Sequence, residues 1–229
     1  MLSLKSSVAI AATLFTQLGS AVPVNDERDL TCLIPAPQNA DYDDLTGLPG
    51  INLNPLPSPY KGLDYQGFSY ANVLLPGLQP GVKPQTGSRY AVSNLITQLG
   101  GAPTISALYD GSIISGFDLQ SLYFGCAINL AQAVAGIPVE CTITVTGYRG
   151  KTNDVDTAVQ ACSRTFTYKP TSIFFAQSMG FSGNAAFAGC TNIQFARVTY
   201  STPGPLSPAA AAVSVVIDDL RYATRSCPL

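Results

Sequence analysis

Residues 117–151, FDLQSLYFGCAINLAQAVAGIPVECTITVTGYRGK, decide the fold. In the second half of the stretch Cys141, Ile143, Val145 and Gly147 alternate with Thr142, Thr144, Thr146 and Tyr148. That period of two is the signature of a strand with one face in a core and the other in water. Residues 117–128 form a second strand-like run, and Cys126 and Cys141 flank the connection between the two. The stretch therefore reads as a disulfide-clamped hairpin at the centre of an all-β domain.

Outward from it, further strands are expected at 105–109, 158–168, 172–176, 191–200 and 213–222, separated by turns containing Gly, Pro and Asn. Such spacing predicts an antiparallel β-sandwich or jelly roll. In residues 162–168, Cys162, Phe166 and Tyr168 take one face and Ser163, Thr165 and Thr167 the other, which repeats the half-buried pattern. Residues 90–99 are expected to form one short helix ended by Gly100-Gly101-Ala102-Pro103. No internal repeat points to a propeller or solenoid.

The chain begins MLSLKSSVAIAATLFTQLGSAVPV, with Lys5, a short apolar run and the small residues Gly19-Ser20-Ala21. It reads as a signal peptide over residues 1–21, because the apolar run is well short of the roughly 20 residues that span a bilayer. Residues 22–59 are rich in Pro, Asn, Asp and Gly without a sustained period and read as an irregular N-terminal leader. The sandwich is then expected over residues 60–229. Near the C-terminus, Asp218, Asp219, Arg221 and Arg225 stand where a lipid-anchor signal would need a continuous hydrophobic tail. No Asn-x-Ser/Thr sequon occurs.

The chain has 12 basic and 14 acidic residues, a net charge of −2, and loss of Lys5 with the signal makes it more negative. The basic stripe that nucleic-acid binding needs is missing, so no nucleic-acid partner is expected. Charged residues make up only 11% of the chain, a neutral-polar surface suited to the extracellular space and to uncharged partners such as glycans. All six cysteines follow the signal, and an even count in an exported chain favours three disulfides. Of 15 possible pairings, the expected set is Cys126–Cys141 across the hairpin, Cys162–Cys190 between later strands and Cys32–Cys227 joining the ends.

Five motifs in this order resemble a family: YxGLxYxxF from Tyr60, FDLxSLYF from Phe117 with a cysteine following, CxITVTGYRG from Cys141, an F-aromatic pair, and VVIDDLRY from Val215. They resemble fungal secreted proteins of unknown function with a carbohydrate-binding-module-like, galactose-binding-type jelly roll. The resemblance covers roughly residues 60–222 and implies a secreted jelly roll with a possible role at a host surface.

Histidine is absent, which excludes a Ser-His-Asp or Cys-His site in its usual form. A glycosidase needs two carboxylates facing one bond, and Asp64, Asp110, Asp118, Glu140, Asp154, Asp156, Asp218 and Asp219 are available with no spacing that selects a pair. A lyase working through Tyr148, Arg149 and Lys151 is equally open. Asp218 and Asp219 sit side by side in an apolar strand, so at least one must lie near the core. The jelly-roll resemblance implies a structural calcium ion held by Asp218 or Asp219 with Asp64; the alternatives are an ion pair with Arg149, Arg197 or Arg221, or a bulge that leaves both exposed. Tyr60, Tyr65, Tyr70, Tyr90 and Tyr109 are the candidates for stacking on sugar rings, against the ordinary reading of strand aromatics as core.

The expectation is thus a secreted monomer that binds a polysaccharide or a host extracellular component, as a cell-wall or host-surface binder with a virulence or effector role, and needs no cofactor. A carbohydrate-active enzyme lacking histidine, either a polysaccharide lyase or a glycosidase, is one alternative. A structural cell-wall protein is the other.

Overall fold

The computed structural model describes residues 33–47, 53–73, 81–94, 97–100, 102–128, 136–203 and 213–226. The expected signal peptide at 1–21 and the expected pair Cys32–Cys227 lie outside them. In chain order the first strands are β1 (Leu33–Ala40), β2 (Asn54–Pro55), β3 (Asp64–Gln66), β4 (Ser69–Asn72), β5 (Gly81–Val82), β6 (Arg89–Ser93) and β7 (Thr104–Ser106). The long strands follow as β8 (Gly116–Ile128), β9 (Ile137–Pro138), β10 (Cys141–Arg149) and β11 (Val159–Tyr168). Last come β12 (Ala176–Gln177), β13 (Gly180–Ser182), β14 (Phe195–Ser201) and β15 (Val213–Ser226), with 3-10 turns at Thr97–Gly100 and Asn184–Phe187.

Two antiparallel sheets form the sandwich. One has eight strands, ordered β13-β8-β15-β6-β4-β2, with β1 also on β15 and β9 on β8; the other has five, ordered β11-β10-β14-β7-β3. The all-β sandwich expected from the alternation is present, and β10 alternates buried and half-buried as its sequence requires. On its outer side Thr142, Thr144 and Thr146 face Thr167, Thr165 and Ser163 of β11, with hydroxyl separations of 3.5, 3.0 and 3.1 Å.

The hairpin reading is corrected. β8 lies in the eight-stranded sheet beside β15, while β10 lies in the five-stranded sheet between β11 and β14. Both cysteines occupy core-facing positions, so Cys126–Cys141, with Cα atoms 6.1 Å apart, bridges the two layers and does not clamp strand neighbours. Cys162–Cys190 does similar work, tying β11 to the segment that borders β8, where Leu119 N–H donates to the Cys190 carbonyl at 3.0 Å.

Three other expectations change. Residues 33–40, inside the stretch read as leader, form β1 and pair with Ala223, Tyr222 and their neighbours on β15, so the sandwich starts well before residue 60. The short helix at 90–99 is instead β6 followed by a 3-10 turn, because Tyr90, Ala91 and Val92 are all buried in the sheet. Residues 172–176 are a loop, with only Ala176–Gln177 in β12.

β15 is the central strand. Every residue from Val213 to Leu220 is buried, the polar Ser214, Asp218 and Asp219 included, as expected of a strand covered on both faces. Its inner face meets the core, and its outer face is roofed by residues 81–88. The cover is close: a Cβ at Gly125 on the neighbouring β8 would come within 2.7 Å of Val82, so a glycine there lets β5 lie on the sheet. No helix among the described residues is long and apolar enough to cross a membrane.

Candidate binding surface

The polar groups buried in β15 hold the roof in place. Register with β8 steps from Asp218↔Tyr123 to Arg221↔Ser121 and then Tyr222↔Leu119, a bulge that turns Asp219 to φ 45°. Strict alternation would put the two adjacent carboxylates on opposite faces; with the 81–88 segment over Asp218 and the bulge at Asp219, both are buried. Asp218 accepts the backbone N–H groups of Gln85 at 2.7 Å and Thr86 at 3.1 Å on one oxygen, and that of Asp219 at 2.8 Å on the other. Asp219 accepts from Asn39 Nδ2 of β1 at 2.7 Å.

The partners of Asp218 and Asp219 are thus backbone amides and an asparagine, not an arginine. Arg149 donates to the carbonyls of Thr191 and Asn192, and Arg197 to that of Asn153. Asp64, the third residue of the expected calcium site, stands in the other sheet and accepts from Ser58 and Gln66. No group of three or more carboxylate, cysteine or histidine side chains able to hold a metal occurs among the described residues, so the expected set is not brought together.

Burial pushes the Asp218 carboxyl up to about 7, against the pull of its backbone donors and with a further push from Asp219. Because the folded value lies above the unfolded one of about 3.9, this group favours the fold fully below pH ~4 and loses that contribution as pH rises through 7. At ~1.4 kcal/mol per pH unit between the two values, the loss is on the order of 4 kcal/mol. Asp118 works in the opposite sense. Burial raises it, but Arg225, bonded to both its oxygens at 2.6 and 2.7 Å, and the Asn192 N–H outweigh this and hold it below the usual carboxylate range. Its contribution is lost on the acid side. Chemical denaturation from pH 4.5 to 7.5 is expected to show stability falling with pH, and Asp218→Asn, whatever its absolute stability, to lack that slope.

The tyrosines proposed for sugar stacking are placed differently. Tyr60, Tyr65, Tyr70 and Tyr90 are buried, and only Tyr109 is half-buried. Tyr60 stacks on Tyr42 with centroids 5.4 Å apart, Tyr65 meets both edge-on at 6.2 Å, and Tyr60 Oη donates to Asp44 at 2.6 Å. Tyr70 donates to the Thr46 carbonyl at 2.7 Å. These side chains fasten the segment from 42 to 47 onto the core and offer no open ring face.

The open aromatic rings lie elsewhere. Phe174 and Phe175 are 73% and 72% exposed, Ile173 is 50% exposed and Phe181 is 58% exposed. The loop that carries the first three is shaped by one buried side chain, Gln177. Its Oε1 accepts from Thr171 N, Thr171 Oγ1 and Ser172 N at 2.8, 2.9 and 3.2 Å, and its Nε2 donates to the carbonyls of Phe175 and Ala176 at 3.1 and 3.3 Å. Ser172 Oγ accepts from Phe174 N at 3.1 Å. Five backbone groups of the loop are thus bonded within it, while the apolar side chains of residues 173–175 are exposed.

β12, which contains Gln177, pairs in parallel with β5, so this loop and the 81–88 roof form one cap on the outer face of the eight-stranded sheet. Tyr123 stands opposite both Phe181 and Asp218, and its ring packs on Phe181 with centroids 4.7 Å apart. The Tyr123–Phe181 pair therefore belongs to the same side. A shallow open depression of about 370 Å³ is lined by Pro170, Thr171, Ser172, Ile173 and Phe174.

Asp110, Asp154 and Asp156 are exposed, and Glu140 meets Lys169 at 3.4 Å. Tyr148 stacks on Phe195 at 4.9 Å and Arg149 is committed to two carbonyls. The sequence signal for these open rings was the pair Phe174-Phe175 itself: adjacent residues of a strand point to opposite faces, so a strand covered on one face only leaves one of them exposed.

No known protein family matches the sequence, and no curated protein matches it. The fold is similar to the crystal structure of a DUF4465 family protein from Bacteroides caccae, at 13% identity and a TM-score of 0.43, over 86% of this chain and 96% of that one.

Proposed function

We propose that the protein is a secreted binding protein that attaches to an extracellular surface, a cell-wall polysaccharide or a host component, and does not turn its ligand over. The observation that carries this reading is the run Ile173-Phe174-Phe175, three consecutive exposed apolar residues on a loop held by the buried Gln177 side chain. Exposed apolar clusters of this kind mark interaction sites, whereas singly scattered ones do not. The signal-like N-terminus and the disulfides support an extracellular address. The resemblance to fungal carbohydrate-binding jelly rolls supports a wall or host surface as the target, and with it an effector role.

Incubation with insoluble plant and fungal wall polysaccharides and with host cells tests the reading, following retention and release of reducing or unsaturated ends. Retention without product is expected. Replacing Phe174 and Phe175 by serine should lower retention at least tenfold, while stability changes by no more than ~0.5 kcal/mol because both rings are exposed. Steady product release abolished by a single Asp, Glu or Tyr substitution would overturn the proposal in favour of a lyase or glycosidase.

A further inference from the structure

Although the whole chain is net negative, the segments that build the cap come from acid-free sequence. Between Asp64 and Asp110 there is no acidic residue, only Lys83 and Arg89; between Asp156 and Asp218 there is again none, only Arg164, Lys169 and Arg197. Two of these cations flank the apolar tip. Lys169 precedes Pro170 at the base of the loop, and Lys83 N–H donates to the Gln177 carbonyl at 2.9 Å, next to β12. Both side chains are exposed. Lys169 shares its charge with Glu140 across 3.4 Å, so Lys83 supplies the larger part of the uncompensated field. Of the acidic groups near the cap, Glu140 faces Lys169, Asp43 accepts from Ser88 N–H at 3.0 Å at the end of the roof, and Asp218 is sealed under Gln85 and Thr86.

Resting on the surface-binding reading, we infer that the partner of the Ile173–Phe175 tip is a lipid bilayer carrying anionic headgroups. An apolar tip with a lysine near its base that is unpaired among the described residues fits a segment lying at the membrane interface, where apolar side chains enter the boundary layer and cations meet the headgroups. The internal hydrogen bonds of the loop carry the argument further. Backbone groups entering a medium poor in water must be satisfied by the protein; at the tip the Phe174 N–H and the Phe175 carbonyl are bonded within the loop, and at its base so are the N–H groups of Thr171 and Ser172 and the carbonyl of Ala176. Recognition of a sugar would instead call on free polar groups beside the rings to bond its hydroxyls. The Gln177 amide, the main polar group of the loop, is already occupied on both its atoms.

The test is co-sedimentation of the full mature chain with vesicles of phosphatidylcholine alone and of phosphatidylcholine with phosphatidylserine, beside chitin and cellulose particles. Binding to the anionic vesicles is expected, weakened roughly tenfold or more by the change F174S with F175S and several-fold by K83E, and reduced when salt rises from 0.05 to about 0.5 M as screening predicts. Retention on chitin or cellulose with none on either vesicle would overturn the lipid assignment and leave the surface-binding function standing. Undiminished binding of the double serine variant to every material would overturn both. Equal binding to neutral and anionic vesicles, with K83E unaffected, would overturn the headgroup part of the inference.

Discussion

Replacing Asp218 by alanine is expected to destabilise the protein by about 3–5 kcal/mol, while Asp154→Ala in its exposed turn changes stability by less than ~0.5 kcal/mol. The difference follows from what each carboxylate serves. Asp218 is fully buried and accepts three backbone N–H groups, from Gln85, Thr86 and Asp219. Alanine would leave those donors without an acceptor in a site that water does not reach, and an unsatisfied buried donor costs about 1–3 kcal/mol. It would also free the 81–88 roof from β15. Asp154 accepts only from Asp156 N and Thr157 Oγ1 within its own turn. Urea denaturation gives the comparison directly, and a drop below ~1 kcal/mol for Asp218→Ala would remove this carboxylate from the account of how the cap is held. Since the partners are amides, a chelator is expected to leave the melting temperature of the wild type unchanged.

The second large effect is expected from removing Cys126–Cys141. With the cysteines 15 positions apart in sequence, loss of the cross-link alone should cost about 3 kcal/mol through the freer unfolded chain. Here the two sulfurs also fill space between the sheets, since both residues are wholly buried. C126S with C141S therefore adds polar hydroxyls to the core, and a total of about 3–5 kcal/mol is expected in urea denaturation. Native-state hydrogen exchange should report faster opening in both β8 and β10, strands of different sheets. Faster exchange in β10 alone, with β8 unchanged, would contradict the role of this disulfide as a link between layers.

These two sites show what could be read in advance. The individual strands at 117–128 and 141–148 were legible because their alternation is a local property of the chain. Their pairing was not: the connection is long enough to cross between layers, and a disulfide fits a cross-strand pair and a cross-layer pair equally well. In the same way, a buried carboxylate at 218–219 was legible from the apolar context. The bulge at Asp219, and the Gln85 and Thr86 amides more than 130 residues away that receive Asp218, are tertiary facts. β1 was missed because Leu33-Ile34-Pro35-Ala36-Pro37 breaks the alternation, and an edge position on β15 tolerates those prolines. Tyr60, Tyr65, Tyr70 and Tyr90 were candidates for a surface because tyrosine suits both core and contact, and their sequence positions do not distinguish the two. Phe174-Phe175 carried the better signal, since neither strand alternation nor a helical face can bury two adjacent rings on one side.

The central claim is that the cap displaying Ile173, Phe174 and Phe175 is the surface with which the protein binds. Hydrogen exchange of the mature chain, free and bound to anionic vesicles or to whichever wall material retains it, tests this most directly. The account predicts added protection in residues 171–182 and in the adjoining 81–88 roof, with the threonine-lined strands β10 and β11 unchanged. Protection gained on β10 and β11, with residues 171–182 exchanging as in the free protein, would contradict it.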